Sequence, residues 1–147
     1  MRKILVAGAL AIAATGAVAD EFGTAEEAQA MVEAATNALT ANEEAALAAF
    51  NSGEAPFRAK DLYVFCGDAD GNFSAHGANP DLVGKSLRGL EDKAGNKLGE
   101  SIYTTAVAGE YHSVEYQWPR PGETEVSEKE SILTKVDDQI CGVGYYK

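Results

Sequence analysis

One change of hydrophobic period, near Pro56, constrains the fold of this chain more than any other feature. Before Pro56, apolar residues recur at helical spacing among acidic residues, which predicts a helix. After it, short β-rich runs are separated by turn residues, which is typical of strands. Thr24 and Glu27 form a capping box at the start of the helix, and Gly53 can end it. One long helix followed by several strands predicts an α+β domain.

The predicted helix covers residues 25–52 and would be about 42 Å long at 1.5 Å per residue. A sheet of ordinary strands spans only ~17–20 Å. We therefore expect the downstream half, which includes Phe50, to pack more completely than the upstream half. Because the upstream stripe is rich in alanine, it allows close approach to a second copy. We expect a weak homodimer through Ala28, Val32 and Ala35.

The strands and a shorter helix are predicted from local patterns in the rest of the chain. Strands are expected at residues 61–66, 73–76, 112–118, 131–136 and 139–146, and a helix at residues 97–107. The last two strands are separated only by Asp137 and Asp138, which predicts a hairpin. The sequence has no internal repeat and no linker that would divide it, so we expect one domain.

The first residues of the chain have the pattern of a secretory signal peptide. Two basic residues precede residues 4–16, which are almost all small or apolar, and residues 17–19 form an A-x-A cleavage site. An uncleaved membrane anchor is the alternative, but a span needs about 20 apolar residues. We expect a signal peptide over residues 1–19 and a mature domain over residues 20–147. This domain would be periplasmic or secreted, with no membrane span after cleavage.

The charge of the chain limits its partners. It has 12 Lys and Arg against 23 Asp and Glu, a formal net charge of −11. The electrostatic field of such a negatively charged protein repels nucleic acid and anionic membranes, so we expect neither as a partner. It does not exclude an anionic small ligand, since one lysine or arginine can invert the sign inside a pocket. The two cysteines suggest a disulfide in an exported protein, and most of the stability must come from a core.

The stretch CGDADGNFSAHGANP, residues 66–80, looks most like a site. Asp68, Asp70 and Asn72 alternate as they do in a calcium loop. An EF-hand, however, needs glycine at its sixth position and glutamate at its twelfth, and here Gly71 is fourth and Asn79 twelfth. Aspartate, asparagine and glycine are also the residues that hairpin turns prefer. We therefore expect a turn and no metal.

His76 in the same stretch has several possible roles. A general base needs a nucleophile or a metal within reach, and the sequence has no G-x-S-x-G, H-E-x-x-H or C-x-x-C motif. His76 is then a pocket wall or a structural hydrogen-bonding group, and we expect no enzyme, no catalytic residue and no cofactor. Two alternatives stay open: a small periplasmic hydrolase or lyase using His76 with Asp68 or Asp70, and a structural or inhibitory protein without a pocket.

Several motifs together resemble the single Cache domains. They are DLYVFCGDADGNFSAHGANPDLVGKSL, YQWPRPG, a lysine in the penultimate strand and a terminal GVGYY, and the resemblance covers residues 25–147. It implies a long N-terminal helix packed on a PAS-like antiparallel sheet of five or six strands. It also implies an extracytoplasmic sensor of small molecules. Such domains usually belong to signalling proteins, so we expect an unidentified protein partner: a sensor kinase, a chemoreceptor or a transporter.

The family topology places the first and last long strands side by side, which implies a disulfide between Cys66 and Cys141. Alternate residues of a strand point to opposite faces. The face opposite the cysteines then carries Tyr63 and Phe65 beside Gly142 and Gly144. We expect these glycines to leave unfilled volume for a small molecule. The alternative is that they mark bulges or a close-packed loop.

The resemblance therefore implies a ligand pocket on this face. Its expected ligand-binding residues are Tyr63, Phe65, His76, Tyr116, Trp118 and Lys129. The ammonium of Lys129 would pair with a ligand carboxylate, unless it is an ordinary surface lysine between two glutamates. Arg58 and Arg88 are weaker candidates for the same role. The expected ligand is a short carboxylate or a similar polar metabolite.

Overall fold

The computed structural model describes residues 21–147. The predicted signal peptide, residues 1–19, lies outside the described residues. In chain order the elements are α1 (Ala25–Ala41), α2 (Glu43–Ser52), β1 (Arg58–Ala59), β2 (Leu62–Gly67), β3 (Phe73–His76), a 3₁₀ helix (Pro80–Leu82), α3 (Leu98–Thr105), β4 (His112–Pro119), β5 (Val126–Val136) and β6 (Gln139–Tyr146). Within residues 21–147, no helix has both the length and the apolar character that crossing a membrane requires.

The predicted N-terminal helix is interrupted at Asn42, so that it forms α1 and α2. Asn42 has an extended backbone (φ −163°, ψ 104°), and its side chain accepts a hydrogen bond from the Ala45 backbone N–H at 3.0 Å. Asparagine suits this N-cap position because its side chain satisfies an N–H that has no partner inside the helix. α1 begins with the predicted capping box, and α2 ends at Gly53, whose φ of 66° is left-handed.

The strands form one antiparallel sheet in the order β1-β2-β6-β5-β4, with β3 also paired to β2. The last strand in chain order, β6, lies at the centre between β2 and β5. β5 begins at Val126, earlier than the sequence predicts, because β4 pairs with it as far as Pro119. The predicted α+β fold with a PAS-like antiparallel sheet is confirmed.

α1 covers one face of the sheet, where it contacts β2, β5 and β6. Its buried residues are Ala28, Met31, Val32, Ala35 and Leu39. They pack in one core with Val64 and Val143 of the sheet, so the upstream part of the helix is as well packed as the downstream part. The expected looser packing is therefore wrong. Ala28, Val32 and Ala35 each have 0% exposed surface, so the expected homodimer contact through them is also wrong.

The opposite face is covered by α3 and by the chain between β3 and α3. There Phe65 and Leu133 of the sheet pack with Leu87, Leu98 and Ile102 in a second core. On the α1 side a disulfide joins Cys66 and Cys141, the pair that the resemblance implies. The sheet thus separates a helix-side core, which holds the disulfide, from a second core that includes Phe65, Tyr116 and Trp118 of the expected pocket residues.

Candidate functional site

An aromatic cavity, which we call the inner cavity, lies in the second core. Its lining residues are Tyr63, Phe65, Phe73, His76, Leu87, Leu90, Leu98, Ile102, Tyr116 and Trp118. The structure thus brings together all of the expected ligand-binding residues except Lys129, which lies behind the wall. A water-sized sphere can occupy only about 20 Å³ of the inner cavity. In this conformation its own side chains nearly fill it.

A larger space, the outer cleft, adjoins the inner cavity. The two share Tyr63, His76 and Trp118, and the outer cleft has a volume of about 310 Å³. Its other walls come from the loop after β3 and from residues 119–123 between β4 and β5. Because the shared side chains border both spaces, a molecule in the outer cleft would contact the mouth of the inner cavity.

His76 is held in one tautomer by the backbone that follows it. Its Nδ1 accepts hydrogen bonds from the N–H groups of Ala78 at 3.2 Å and Asn79 at 2.8 Å. Nδ1 is therefore unprotonated, and the ring proton is on Nε2, which has no partner among the described residues. Burial, and then the charges of Lys129 and Arg58, lower the pKa of His76 to about 4. At neutral pH the ring is neutral and offers an Nε2–H donor to the two spaces that it lines.

Tyr63 provides a second donor beside His76. Its ring lies 4.7 Å from the imidazole, and its hydroxyl accepts a hydrogen bond from Lys129 Nζ at 2.9 Å. Burial raises the pKa of Tyr63 well above its usual value, so the hydroxyl keeps its proton. Since the hydroxyl oxygen already accepts from the lysine, its own O–H is free to donate to a ligand.

Lys129 is a buried cation and not a surface lysine, with only 1% of its surface exposed. Its Nζ lies over three tyrosine rings, 4.3 Å from the centroid of Tyr63, 4.8 Å from Tyr146 and 5.9 Å from Tyr116. Burial lowers the pKa of Lys129 to about 7, against the opposing charge of Asp61. Among the described residues no carboxylate forms a salt bridge with it. Within residues 21–147, the ammonium directly contacts aromatic faces and one hydroxyl, while Asp61 favours its charge from a distance.

The two glycines of β6 have a different role from the expected one. A Cβ on Gly144 would overlap the alkyl chain of Lys129, and a Cβ on Gly142 would lie 2.6 Å from Leu133 Cδ2. The space above these glycines is thus already occupied, and the expected unfilled volume is wrong. Gly144 allows the long stem of Lys129 to lie flat on the sheet, so that its ammonium reaches the tyrosines.

Two residues near Lys129 were not predicted from the sequence. The Tyr146 hydroxyl donates to the Pro119 carbonyl at 2.7 Å, which fixes the third ring of the lysine site. Asp61 accepts from the Gly23 N–H at 2.7 Å and pairs with Arg120 Nε at 3.3 Å. The sequence could have indicated Tyr146, because strand alternation places it on the same face as Gly142 and Gly144.

The other candidates lie in structural contacts. The Asp68 carboxylate accepts from the Asn72 N–H at 2.9 Å and so caps the hairpin turn instead of contacting His76. Arg58 donates to the Gly77 carbonyl at 3.1 Å, and Arg88 lies over the Tyr103 ring at 4.3 Å. Neither arginine lines the inner cavity or the outer cleft. Across residues 21–147, no group of three or more His, Cys, Asp or Glu side chains is arranged to hold a metal ion.

Comparison with known proteins agrees with this architecture. The family model of the single Cache domain 2 matches residues 6–145. No curated protein matches the chain. A solved structure described as the periplasmic sensor domain of a chemotaxis protein is 28% identical, with a TM-score of 0.62 over 82% of this chain and 88% of that one.

Two further solved structures show similarity of fold alone. One, described by the words "Structural basis for carboxylic acid recognition by a Cache chemosensory domain", is 22% identical, with a TM-score of 0.66 over 82% of this chain and 91% of that one. The other is a methyl-accepting chemotaxis protein from Vibrio parahaemolyticus, 20% identical, with a TM-score of 0.65 over 82% and 86%. With the family match over residues 6–145, the chain belongs to the single Cache family of extracytoplasmic, ligand-binding sensor domains.

Proposed function

We propose that this protein is an exported sensor domain that binds a short carboxylate and acts with a signalling or transport partner. Export is supported by the signal-peptide pattern of residues 1–19 and by the 28% identical periplasmic sensor domain. In this proposal the mature domain is residues 20–147. One structural neighbour is itself described as a Cache domain that recognises carboxylic acids, which supports the ligand class.

The observation that carries the proposal is that the polar groups at the site offer donors. His76 presents Nε2–H, Tyr63 presents its O–H, and Lys129 lies 2.9 Å behind the Tyr63 oxygen. A ligand that meets these groups must accept hydrogen bonds, and a carboxylate accepts several at once. The aromatic walls surround these donors with apolar surface, which strengthens the bonds. An acid in its ionised form is the ligand that fits this arrangement best.

The test compares an acid with its amide in binding calorimetry. Lys129 donates to the Tyr63 hydroxyl, so Lys129→Met removes a charge–charge attraction to the acid and not a direct hydrogen bond. At roughly 6 Å and an effective dielectric constant of about 20 this attraction is worth about 2–3 kcal/mol, so the variant should weaken binding of the acid by one to two decades, at ~1.4 kcal/mol per decade. The same variant should change binding of the amide little. Trp118→Ala is the matched control, because loss of its apolar wall should weaken both molecules equally. If Lys129→Met binds both as tightly as the parent, the ligand is neutral and the carboxylate assignment is wrong.

A further inference from the structure

The backbone of His76 lies at the end of β3, a strand that pairs with β2 on one side. Among the described residues no other strand pairs with β3. Backbone N–H and C=O groups on the free edge of a strand need other partners. Asn51 supplies both kinds: its Oδ1 accepts from the His76 N–H at 2.9 Å, and its Nδ2 donates to the Ser74 carbonyl at 3.1 Å. The side-chain amide of Asn51 therefore takes the place of a neighbouring strand.

Asn51 is explained by these contacts and not by the helix that carries it. It lies in the last turn of α2, and asparagine is a weaker helix former than the alanines before it. Two glycines allow the end of α2 to approach β3. A Cβ on Gly53 would lie 2.7 Å from the Gly77 carbonyl oxygen, and a Cβ on Gly77 would lie 3.3 Å from the Phe50 carbonyl oxygen. The two backbones thus meet directly beside His76.

The start of α2 is joined to the same short strand. Ser74 Oγ donates to Gln139 Oε1 at 2.6 Å, and Gln139 Nε2 donates to Glu43 Oε1 at 3.2 Å. Glu43 is the first residue of α2, and Asn51 is the last but one. Ser74 is therefore linked to both ends of the helix, so that a movement of α2 along β3 would break one of these bonds.

The ring of His76 is oriented by contacts within its own segment. The two N–H groups that bond to its Nδ1 belong to residues only two and three positions further on. These bonds fix the ring relative to the loop that follows, but they do not attach that loop to the rest of the protein. β2 attaches it on one side, where the Gly77 N–H donates to the Val64 carbonyl at 2.9 Å, and Asn51 attaches it on the other. The position of the ring in the cavity wall therefore depends on both edges of β3.

We infer that Asn51 is a positioning residue of the site: by holding the free edge of β3, it fixes where the His76 ring lies and where its Nε2–H points. α2 is then part of the site, although Asn51 lines neither the inner cavity nor the outer cleft. The inference rests on the proposed function only in giving His76 a role in binding. The position of the ring itself is measured without a ligand.

NMR titration of the His76 imidazole in the ligand-free protein tests the inference. Asn51→Ala should release the end of β3 and expose the ring, so the pKa of His76 should rise from about 4 to above about 5. The ring-current shift that Tyr63 causes at 4.7 Å should decrease as well. The matched control is Ser52→Ala, because the Ser52 hydroxyl donates to the Ala49 carbonyl inside α2 and should leave both signals unchanged.

Hydrogen exchange in the parent provides a second test, which does not require Asn51→Ala to fold. The His76 amide should exchange as slowly as that of Gly77, whose partner is the Val64 carbonyl. Exchange of the His76 amide at the rate of an unprotected amide would overturn the inference, because Asn51 would then not hold this edge.

Calorimetry with acetate and propanoate as probes connects the ring position to binding. Asn51→Ala should bind these acids about tenfold more weakly than the parent, the usual effect of losing one hydrogen bond to a charged group, and Ser52→Ala should bind them as the parent does. A folded Asn51→Ala that is less stable but keeps the His76 signals of the parent would show a merely structural role and overturn the inference. A parent that binds neither probe would count against the proposed function and not against this inference, which the ligand-free signals decide.

Discussion

Lys129 lies in surroundings that are unusual for a lysine. Its side chain is buried among three tyrosines, and burial lowers its pKa to about 7 from a usual 10.5. The unfolded chain therefore binds more protons than the folded one between about pH 7 and 10.5. In that window the free energy of unfolding rises with pH. The ligand-free protein is destabilised by this charge at lower pH and recovers as the lysine loses its proton.

We predict that this recovery is measurable between pH 7 and pH 9. At up to ~1.4 kcal/mol per pH unit, Lys129 should add about 2 kcal/mol to the free energy of unfolding over this range. Lys129→Met has no such group, so its stability relative to the parent should fall by the same amount from pH 7 to pH 9. Urea denaturation at several pH values measures the difference. A difference independent of pH would mean that Lys129 titrates normally in the folded protein.

His76 gives a second prediction at the scale of one residue. Its pKa is lowered to about 4, while the unfolded value is 6.5. Protonation would break the bonds that Nδ1 accepts from Ala78 and Asn79. The stability that His76 contributes is therefore present above pH 6.5 and is lost as pH falls through 4, an effect of roughly 3 kcal/mol.

The variants His76→Asn and His76→Gln separate folding from binding. An asparagine oxygen can occupy the place of Nδ1 and accept the two N–H groups, but it supplies no donor at the place of Nε2. We expect His76→Asn to keep neutral-pH stability, to lose its share of the acid sensitivity and to bind acids at least tenfold more weakly. His76→Gln leaves the two N–H groups unpaired and should be less stable. Thermal unfolding and calorimetry on both variants check this, and full acid binding by His76→Asn would contradict the donor role.

At the scale of elements, β6 shapes the site because its glycines carry no side chain. Gly144 leaves room for the stem of Lys129, and strand pairing places Lys129 opposite Tyr146 on the neighbouring strand. A methyl group at position 144 would push the lysine out of its ring contacts. The geometry of the cation therefore depends on a strand that contributes no atom to the hydrogen bonds of Lys129.

We predict that Gly144→Ala lowers the free energy of unfolding by about 1–3 kcal/mol, the usual effect of overpacking, and weakens acid binding as Lys129→Met does. Removing the stem should relieve part of the clash, so Gly144→Ala should destabilise a Lys129→Ala background less than it destabilises the parent. A double-mutant cycle of unfolding free energies measures this coupling. Additive effects would show that Gly144 does not act through Lys129.

The bounds of a strand could be predicted from the sequence where the local residue pattern determines them. They were predicted less well where pairing with a distant strand determines them. The hairpin of β5 and β6 follows from alternation beside Asp137 and Asp138, and it lies where the sequence places it. After Val126, the first part of β5 is a polar run, residues 127–131, and it extends as a strand because β4 pairs with it. Alternation would also have turned Lys129 inward, since its neighbours Glu128 and Glu130 are on the opposite face.

The site itself was predicted in part. Aromatic residues on one strand face identified most of the inner cavity, because alternation is a local property. The part played by Asp61 and Arg120 depends on how β2, the loop after β4 and the start of α1 meet in space. The spacing of residues in the sequence does not indicate this tertiary arrangement. The glycines of β6 were recognised, but only the packed structure shows which side chains fill the space above them.

At the scale of the whole molecule, one disulfide cross-links two distant parts of the sequence. The disulfide between Cys66 and Cys141 joins β2 to β6 on the side of α1, across 75 positions of sequence. In the chain-entropy model a loop of this size stabilises the folded state by about 4 kcal/mol. We predict that Cys66→Ala/Cys141→Ala unfolds at a correspondingly lower denaturant concentration while retaining acid binding when folded.

Thiol titration provides the direct check of the bond. The parent, produced in an oxidising compartment and denatured without reductant, should not react with a thiol reagent, and two thiols should appear after reduction. Two reactive thiols before reduction would rule out the bond. A double variant as stable as the parent would mean that the disulfide does not constrain the unfolded chain.

The position of β6 has a consequence for how the protein is made. Among the strands of residues 21–147, the one that completes the centre of the sheet comes last in chain order, so neither β2 nor β5 has its central neighbour until β6 has been synthesised. A growing chain that has reached residue 138 holds both cores open and Cys66 without its partner. Such a chain is exposed to aggregation and to premature thiol chemistry until β6 emerges. Completion of the fold therefore depends on β6, and the export that we propose suits this order of strands when the chain stays extended until β6 has been made.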